Sequence, residues 1–335
     1  MSTIIKAYAA LEKGGPLVPF EFDPGPLRDD EVEIRVHSCG MCHSDLSMFD
    51  NEWDNTVYPF VPGHEVVGEI VALGRDARRV SVGDWVGLGW FSGNCMACHQ
   101  CLGGNQNLCA HLQETIVGRY GGFADRVRCQ WQWAVPLPKG LDVATAGPLF
   151  CGGITVFTPL VECGVKPTDR AGVIGIGGLG HLALQFLDKW GCEVTAFTSE
   201  GKRGEALRLG ADRAVSSRDP AEIRRLNGEL DFLLSTVNVP LDWSAYLDTL
   251  GPKGRLHFVG VVPEPIPVPV DKLLHHELAV SGSPLGNIAT LETMLRFCAR
   301  HGIAPTVERF PMSQANEAFD HLRSGKARYR IVLDA

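Results

Sequence analysis

The sequence predicts an α/β protein in which a mostly β domain is joined to a doubly wound parallel-sheet domain of the Rossmann kind. Three observations predict it. Strand-like runs broken by Gly, Pro and Asp turns fill residues 1–150; strand and helix patterns then alternate over 154–282; and a glycine-rich turn joins the first of those strands to its helix.

Bulk properties frame the reading. A chain of 335 residues is long enough for two domains with well-buried cores. With 45% hydrophobic and 21% charged residues it has the composition of an ordinary globular protein, and Gly 38 with Pro 21 indicates many turns. The net charge of -8 comes without a long basic run, which argues against duplex DNA or an anionic membrane as a partner. The opening MSTIIKAYAALEKGG lacks a signal-peptide pattern, and no run of about 18 apolar residues occurs. A cytoplasmic protein is expected. Eleven cysteines, an odd number, then fit metal binding, catalysis and buried thiols better than a disulfide framework.

Residues 1–153 contain the strand-like runs EVEIRVHS and GHEVVGEIVALG. The segments CGMCHSD and PGHEVVGEIVALG supply Cys42 and His64 with acidic neighbours Asp45 and Glu65, and a further thiol, Cys151, opens CGGITVF. A Cys2His set leaves one position of a tetrahedral zinc open to an alcohol or carbonyl oxygen. Distance along the chain does not establish nearness, however, and each residue alone also fits a buried thiol or a hydrogen-bonded core histidine. The stretch GNCMACHQCLGGNQNLC is more specific: Cys95, Cys98, Cys101 and Cys109 are separated by two, two and seven residues. Four thiolates close the coordination shell, so this site is expected to hold a structural zinc that stabilises the fold and turns nothing over. His99 and His111 are read as surface residues.

Residues 154–282 carry the cofactor signal. RAGVIGIGGLG runs from a β-branched strand into Gly175, Gly177, Gly178, Leu179 and Gly180, and HLALQFLDKWG follows with helical spacing. Gly175 permits the tight turn, Gly177 lets backbone approach a pyrophosphate, and Gly180 allows helix and strand to pack closely. An NAD unit usually places an acid about 20 residues on. Here Thr198 and Ser199 end the second strand, with Lys202 and Arg203 just beyond. Hydroxyls and cations suit a 2′-phosphate, so NADP(H) is expected over NAD(H), while Glu200 keeps NAD(H) open as the alternative. AVSS, DFLLSTV, GRLHFVGVV and LAVSGS continue the alternation, with PEPIPVPV as a Pro-rich connection. In residues 283–335, an amphipathic NIATLETMLRFCARHG and a final YRIVLD strand are expected to rejoin the first domain.

GHEVVGEIVALG, the four-cysteine loop, CGGITVF and GIGGLGH, in this order, resemble the zinc-dependent medium-chain alcohol dehydrogenases. The closing segment from AVSGSPLGN onward resembles their cinnamyl alcohol dehydrogenase branch, and the likeness spans almost the whole chain. The resemblance implies a GroES-like first domain and reversible hydride transfer between NADP(H) and a primary alcohol or aldehyde. It implies two zinc ions per chain, the catalytic one on Cys42, His64 and Cys151, with Glu65 beside it and Asp45 supporting His64. It further implies that Ser44 takes the alcohol proton and passes it toward the cofactor ribose. Many relatives continue this relay with a His where this chain has Ser47, which leaves water or His43 as alternatives. Trp53 and Trp90 match positions that crowd the substrate site in some relatives, with Leu285 lining it from the tail; core packing remains the other reading for the tryptophans. An aromatic or modest apolar substrate and a homodimer or homotetramer are expected. Two competing classes are a zinc-free reductase, which would lack the Cys42, His64 and Cys151 set, and a non-enzymatic zinc or redox module using the four-cysteine loop.

Overall fold

The computed structural model describes residues 3–335. Its chain forms two compact units, one comprising the residues up to Ile154 together with Gly286–Ala335, the other Thr155–Leu285.

The first unit is organised by the strand Glu31–Met41. Its sequence EVEIRVHSCGM buries most positions, because the strand has neighbours on both edges. One edge pairs antiparallel with Glu65–Leu73, register shifts between Glu33 and Ile34 and between Val36 and Ser38 bending the pair. The other edge is divided: Glu31–Arg35 pairs with Arg126–Gln130, and Ser38–Met41 pairs with the C-terminal strand in the register Ile331↔Met41. The YRIVLD segment thus rejoins the first unit, bringing the far end of the chain beside Met41. A strand the sequence did not signal, Val307–Pro311, lies parallel to Arg330–Asp334 at the edge of the sheet. VERFP sets two adjacent charges between apolar residues and ends in proline, a pattern that reads as a connection until a partner strand is known.

In the second unit all six strands are parallel. Their spatial order is Arg213–Ser216, Glu193–Thr198, Arg170–Ile174, Leu230–Ser235, Leu250–Phe258 and Ala279–Gly282. Numbered within the unit this is 3-2-1-4-5-6, the Rossmann order, with its switch point at the carboxyl end of Arg170–Ile174. The glycine-rich turn starts at that point. Gly175 has φ +88, a Cβ at Gly180 would run into the Gly175 carbonyl, and a Cβ at Gly177 would touch nothing. The helix Gly180–Trp190 then packs by its apolar face and stops at Gly191, which is left-handed at φ 106. Among the described residues no helix is long and apolar enough to cross a membrane.

Candidate active site and metal centres

Cys42 follows the central strand directly and caps the helix His43–Phe49. Its Sγ accepts from the Ser44 N–H at 3.3 Å, while its own N–H donates to Asp45 Oδ2 at 3.0 Å. This is a capping box with a thiol in place of the usual hydroxyl, and it fixes where the sulfur points. The other Asp45 oxygen accepts from the Gly63 N–H at 2.8 Å and lies 3.0 Å from His64 Nδ1. One fully buried carboxylate therefore orients both a thiol and an imidazole. Cys151 lies between the turn Gly147–Phe150 and the helix Gly152–Glu162.

The three side chains meet. Cys42 Sγ lies 3.2 Å from His64 Nε2 and 3.9 Å from Cys151 Sγ, and His64 Nε2 lies 3.3 Å from Cys151 Sγ. A tetrahedral zinc with ordinary bond lengths would set sulfurs about 3.8 Å apart and sulfur from nitrogen about 3.5 Å apart. Glu65 belongs to the same cluster, its Oε1 4.0 Å from His64 Nε2 and its Oε2 buried without a hydrogen-bond partner. An orphaned carboxylate oxygen beside two thiols and an imidazole is the donor set a zinc ion requires, so the residues fit the metal.

Charge in the cluster is balanced from one more direction. Arg330, the first residue of the C-terminal strand, bonds Glu65 Oε1. Burial raises Glu65 to about 7 in spite of the opposing pull of Arg330. Burial also works against the Cys42 thiolate, but hydrogen bonding from Cys151 and the charges of His64 and Arg330 outweigh it and hold the thiol well below its ordinary value. His64 is likewise opposed by burial and carried upward by Asp45 and Cys42. Space beside Glu65 is tight enough that a Cβ at Gly40 would collide with its carboxylate.

The four-cysteine loop closes on itself. Cys95 and Cys101 sulfurs are 3.8 Å apart, Cys98 and Cys101 3.4 Å, Cys98 and Cys109 3.8 Å, and Cys109 and Cys95 3.5 Å. These are four of the six edges of a tetrathiolate tetrahedron, and among the described residues all eleven cysteines are free thiols. Backbone N–H groups of Ala97 and Cys98 lower Cys95 to about 6, which favours the thiolate a metal binds.

The remaining sequence-predicted residues divide. Trp90 stands edge-on to the His64 ring at 4.9 Å and 82°, and Trp53 stands edge-on to Trp90 at 6.0 Å. Trp53 is 40% exposed, which sets it apart from a core tryptophan. Leu285 closes the second unit. Thr198 ends its strand with only 3% exposure, leaving the exposed Ser199 as the hydroxyl at that edge. Lys202 Nζ donates to the Ile176 carbonyl within the glycine-rich turn at 2.9 Å. Arg203 departs from expectation: its guanidinium is taken by both Glu222 oxygens at 2.8 Å and by Glu200 at 2.8 Å. Facing two carboxylates, it braces the strand edge and is not presented as an anion site. Ser44 is half-buried beside Cys42, His43 is exposed, and Ser47 Oγ donates to Glu52 Oε2 at 2.7 Å.

Comparison with known proteins agrees with this geometry. Residues 28–139 match the alcohol dehydrogenase GroES-like domain family and residues 178–300 the zinc-binding dehydrogenase family. Aldehyde reductase AdhA of Synechocystis sp. is 59% identical over 98% of this chain and 98% of its own. The chain belongs to the zinc-binding alcohol dehydrogenases. A cinnamyl alcohol dehydrogenase from Sorghum bicolor superposes with a TM-score of 0.94 at 35% identity, covering 99% of this chain and 98% of that one. A cinnamyl alcohol dehydrogenase of Helicobacter pylori complexed with NADP(H) gives 0.91 at 30% identity, over 100% and 99% of the two chains. This alcohol dehydrogenase is therefore a zinc-binding oxidoreductase of alcohols and aldehydes, with the GroES-like and Rossmann folds expected of it. Family membership sets aside the non-enzymatic module.

One residue of the alcohol dehydrogenase site escaped the sequence reading. Arg330 touches Glu65 from 265 positions away. Its signal was present as a lone cation opening the buried strand RIVLD, since a charge in such a strand requires a buried partner.

Proposed function

We propose that this alcohol dehydrogenase acts as an NADP(H)-preferring reductase of aromatic or medium apolar aldehydes, with the catalytic zinc on Cys42, His64 and Cys151. The convergence of those three side chains beside the unpartnered Glu65 oxygen carries the reading. Zinc supplies Lewis acidity toward the substrate oxygen, and the nicotinamide supplies or accepts the hydride. Cys42, His64 and Cys151 bind; Asp45 holds the imidazole and the Cys42 turn in place; Glu65, tethered by Arg330, stands by as an exchangeable donor. In reduction Ser44 Oγ–H would give its proton to the forming alcohol oxygen and take another from the cofactor ribose hydroxyl, and in oxidation the same transfers would run in reverse. Ser47 replaces the relay histidine of many relatives, and its hydroxyl already points to a carboxylate, Glu52, at 2.7 Å.

Coenzyme preference rests on the edge of the second strand. Glu200, the acid that kept NAD(H) open, is drawn at 2.8 Å onto Arg203, which it shares with Glu222, so its charge is offset in part. Ser199 and Lys202 then carry the 2′-phosphate reading, and the glycine-rich turn from Gly175 to Gly180, including Gly178 and Leu179, receives the pyrophosphate at the start of its helix. The paired indoles of Trp53 and Trp90 favour aromatic substrates. The open outer edge of Ala279–Gly282 supports a homodimer or homotetramer, and eleven free cysteines support a cytoplasmic setting. Domain boundaries near 153 and 283 accompany this reading.

Initial rates with cinnamaldehyde, benzyl alcohol and short aliphatic aldehydes, run in parallel with NADP(H) and NAD(H), test it. Higher kcat/KM with NADPH and with cinnamaldehyde is expected. Equal or better use of NADH overturns the coenzyme assignment, and a preference for short aliphatic aldehydes overturns the pocket.

A further inference from the structure

A tetrathiolate zinc site carries a net negative charge, so N–H donors aimed at its sulfurs stabilise it. Two of the four sulfurs draw such donors from the loop itself. Cys95 Sγ accepts from the Cys98 N–H at 3.4 Å, and Cys109 Sγ accepts from the His111 N–H at 3.3 Å. Cys101 is buried, and its donor is a side chain: Asn94 Nδ2 donates to Cys101 Sγ at 3.0 Å.

The direction of that amide is fixed by chemistry. An indole N–H only donates, and Trp133 Nε1 lies 2.9 Å from Asn94 Oδ1. The carboxamide oxygen must therefore face Trp133, which turns the nitrogen toward Cys101 and toward Met96 Sδ at 3.2 Å. The Asn94 backbone N–H is held as well, by Gln130 Oε1 at 2.7 Å, and Gln130 Nε2 in turn donates to Asp30 Oδ2 at 2.9 Å. Asn94 is 3% exposed, and both polar atoms of its side chain are paired, which is the condition for burying an amide without penalty.

We propose that Asn94 is a positioning residue of the structural zinc site: its amide, locked by Trp133, holds Cys101 as a ligand and shields that sulfur from thiol reagents. The proposal rests on reading the four cysteines as a zinc site. Asn94→Asp keeps the size and the Trp133 contact but sets a carboxylate oxygen against a thiolate. Trp133→Phe keeps the amide and removes its lock.

The test uses the zinc-loaded full chain. Zinc is counted by mass spectrometry, and native labelling by N-ethylmaleimide is followed at Cys101 by peptide mapping. Wild type should hold two zinc ions and label slowly at Cys101. Asn94→Asp should weaken zinc binding at this site by about 10–100-fold, the usual effect of removing a partner that orients a metal ligand, and should therefore label Cys101 faster and lose one zinc. Trp133→Phe should accelerate the same residue to a smaller degree, with Cys42 and Cys151 labelling at wild-type rates in both variants. Wild-type labelling of Cys101 in Asn94→Asp with both zinc ions retained overturns the proposal. Should that variant not fold, wild-type labelling in Trp133→Phe overturns it equally. A wild-type chain holding a single zinc, with Cys101 as reactive as Cys95, overturns the metal reading of the loop and this role together.

Discussion

Asp45 reaches Cys42 and His64 with a single buried carboxylate, and each of its contacts is an acceptance from an N–H. Asparagine in its place retains the shape but turns an NH2 group toward at least one of those donors. The imidazole then loses its fixed tautomer, or the Cys42 turn loses its cap. We expect Asp45→Asn to weaken the catalytic zinc by about 10–100-fold in chelator competition while the four-cysteine site keeps its metal. Unchanged affinity at both sites would remove Asp45 from the account. At this scale the sequence was informative wherever the chemistry was local. The four cysteines of the loop announce their own geometry. Asn94 was silent because its partners Trp133 and Gln130 lie more than thirty residues along the chain.

Between elements, the second unit ties its last two strands with a buried histidine. His257 on Leu250–Phe258 places Nδ1 2.9 Å from Ser281 Oγ and Nε2 2.9 Å from Ser283 Oγ. The Cys163 thiol lies 3.5 Å from Nδ1, and Arg255 donates to the same Ser281 hydroxyl. Burial, helped by the Arg255 charge, lowers His257 from 6.5 to about 4. Between those values the unfolded chain binds the proton and the folded one does not, so stability rises with pH there. The contribution is complete above 6.5 and is lost as pH falls toward 4, by at most about 3 kcal/mol. Urea unfolding of the wild type should therefore weaken more between pH 7 and pH 5 than that of His257→Gln. Parallel curves for the two proteins would contradict it. The strands that carry this network were legible as GRLHFVGVV and LAVSGS from their alternation with helices, although Leu250–Phe258 itself holds no β-branched residue. The edge strand Val307–Pro311 was not, because none of its residues is buried, Glu308 and Arg309 break the alternation, and its pairing is supplied by Arg330–Asp334.

Across the whole molecule, the catalytic centre is assembled by long-range pairing. Glu65 starts a strand on one edge of Glu31–Met41, Arg330 starts the strand on the other, and Cys151 ends a turn packed against both strands. Periodicity identifies such strands but carries no information about which edge each one takes, and that choice decides which side chains meet. The trio of ligands was therefore suggested by residue chemistry and by the family resemblance, whereas the Glu65–Arg330 pair required the fold. The glycine-rich turn shows the opposite case: the strand before it and the helix after it are contiguous, so sequence sufficed to recognise it, although its place at the switch point of the sheet required the strand order. The most direct trial of the whole assignment is to replace Cys42 with alanine and measure zinc per chain together with turnover of cinnamaldehyde by NADPH. The expected result is a folded protein with one zinc ion in place of two and no measurable turnover; a Cys42→Ala enzyme that keeps both ions, or reduces the aldehyde at the wild-type rate, would contradict the metal centre on which the function depends.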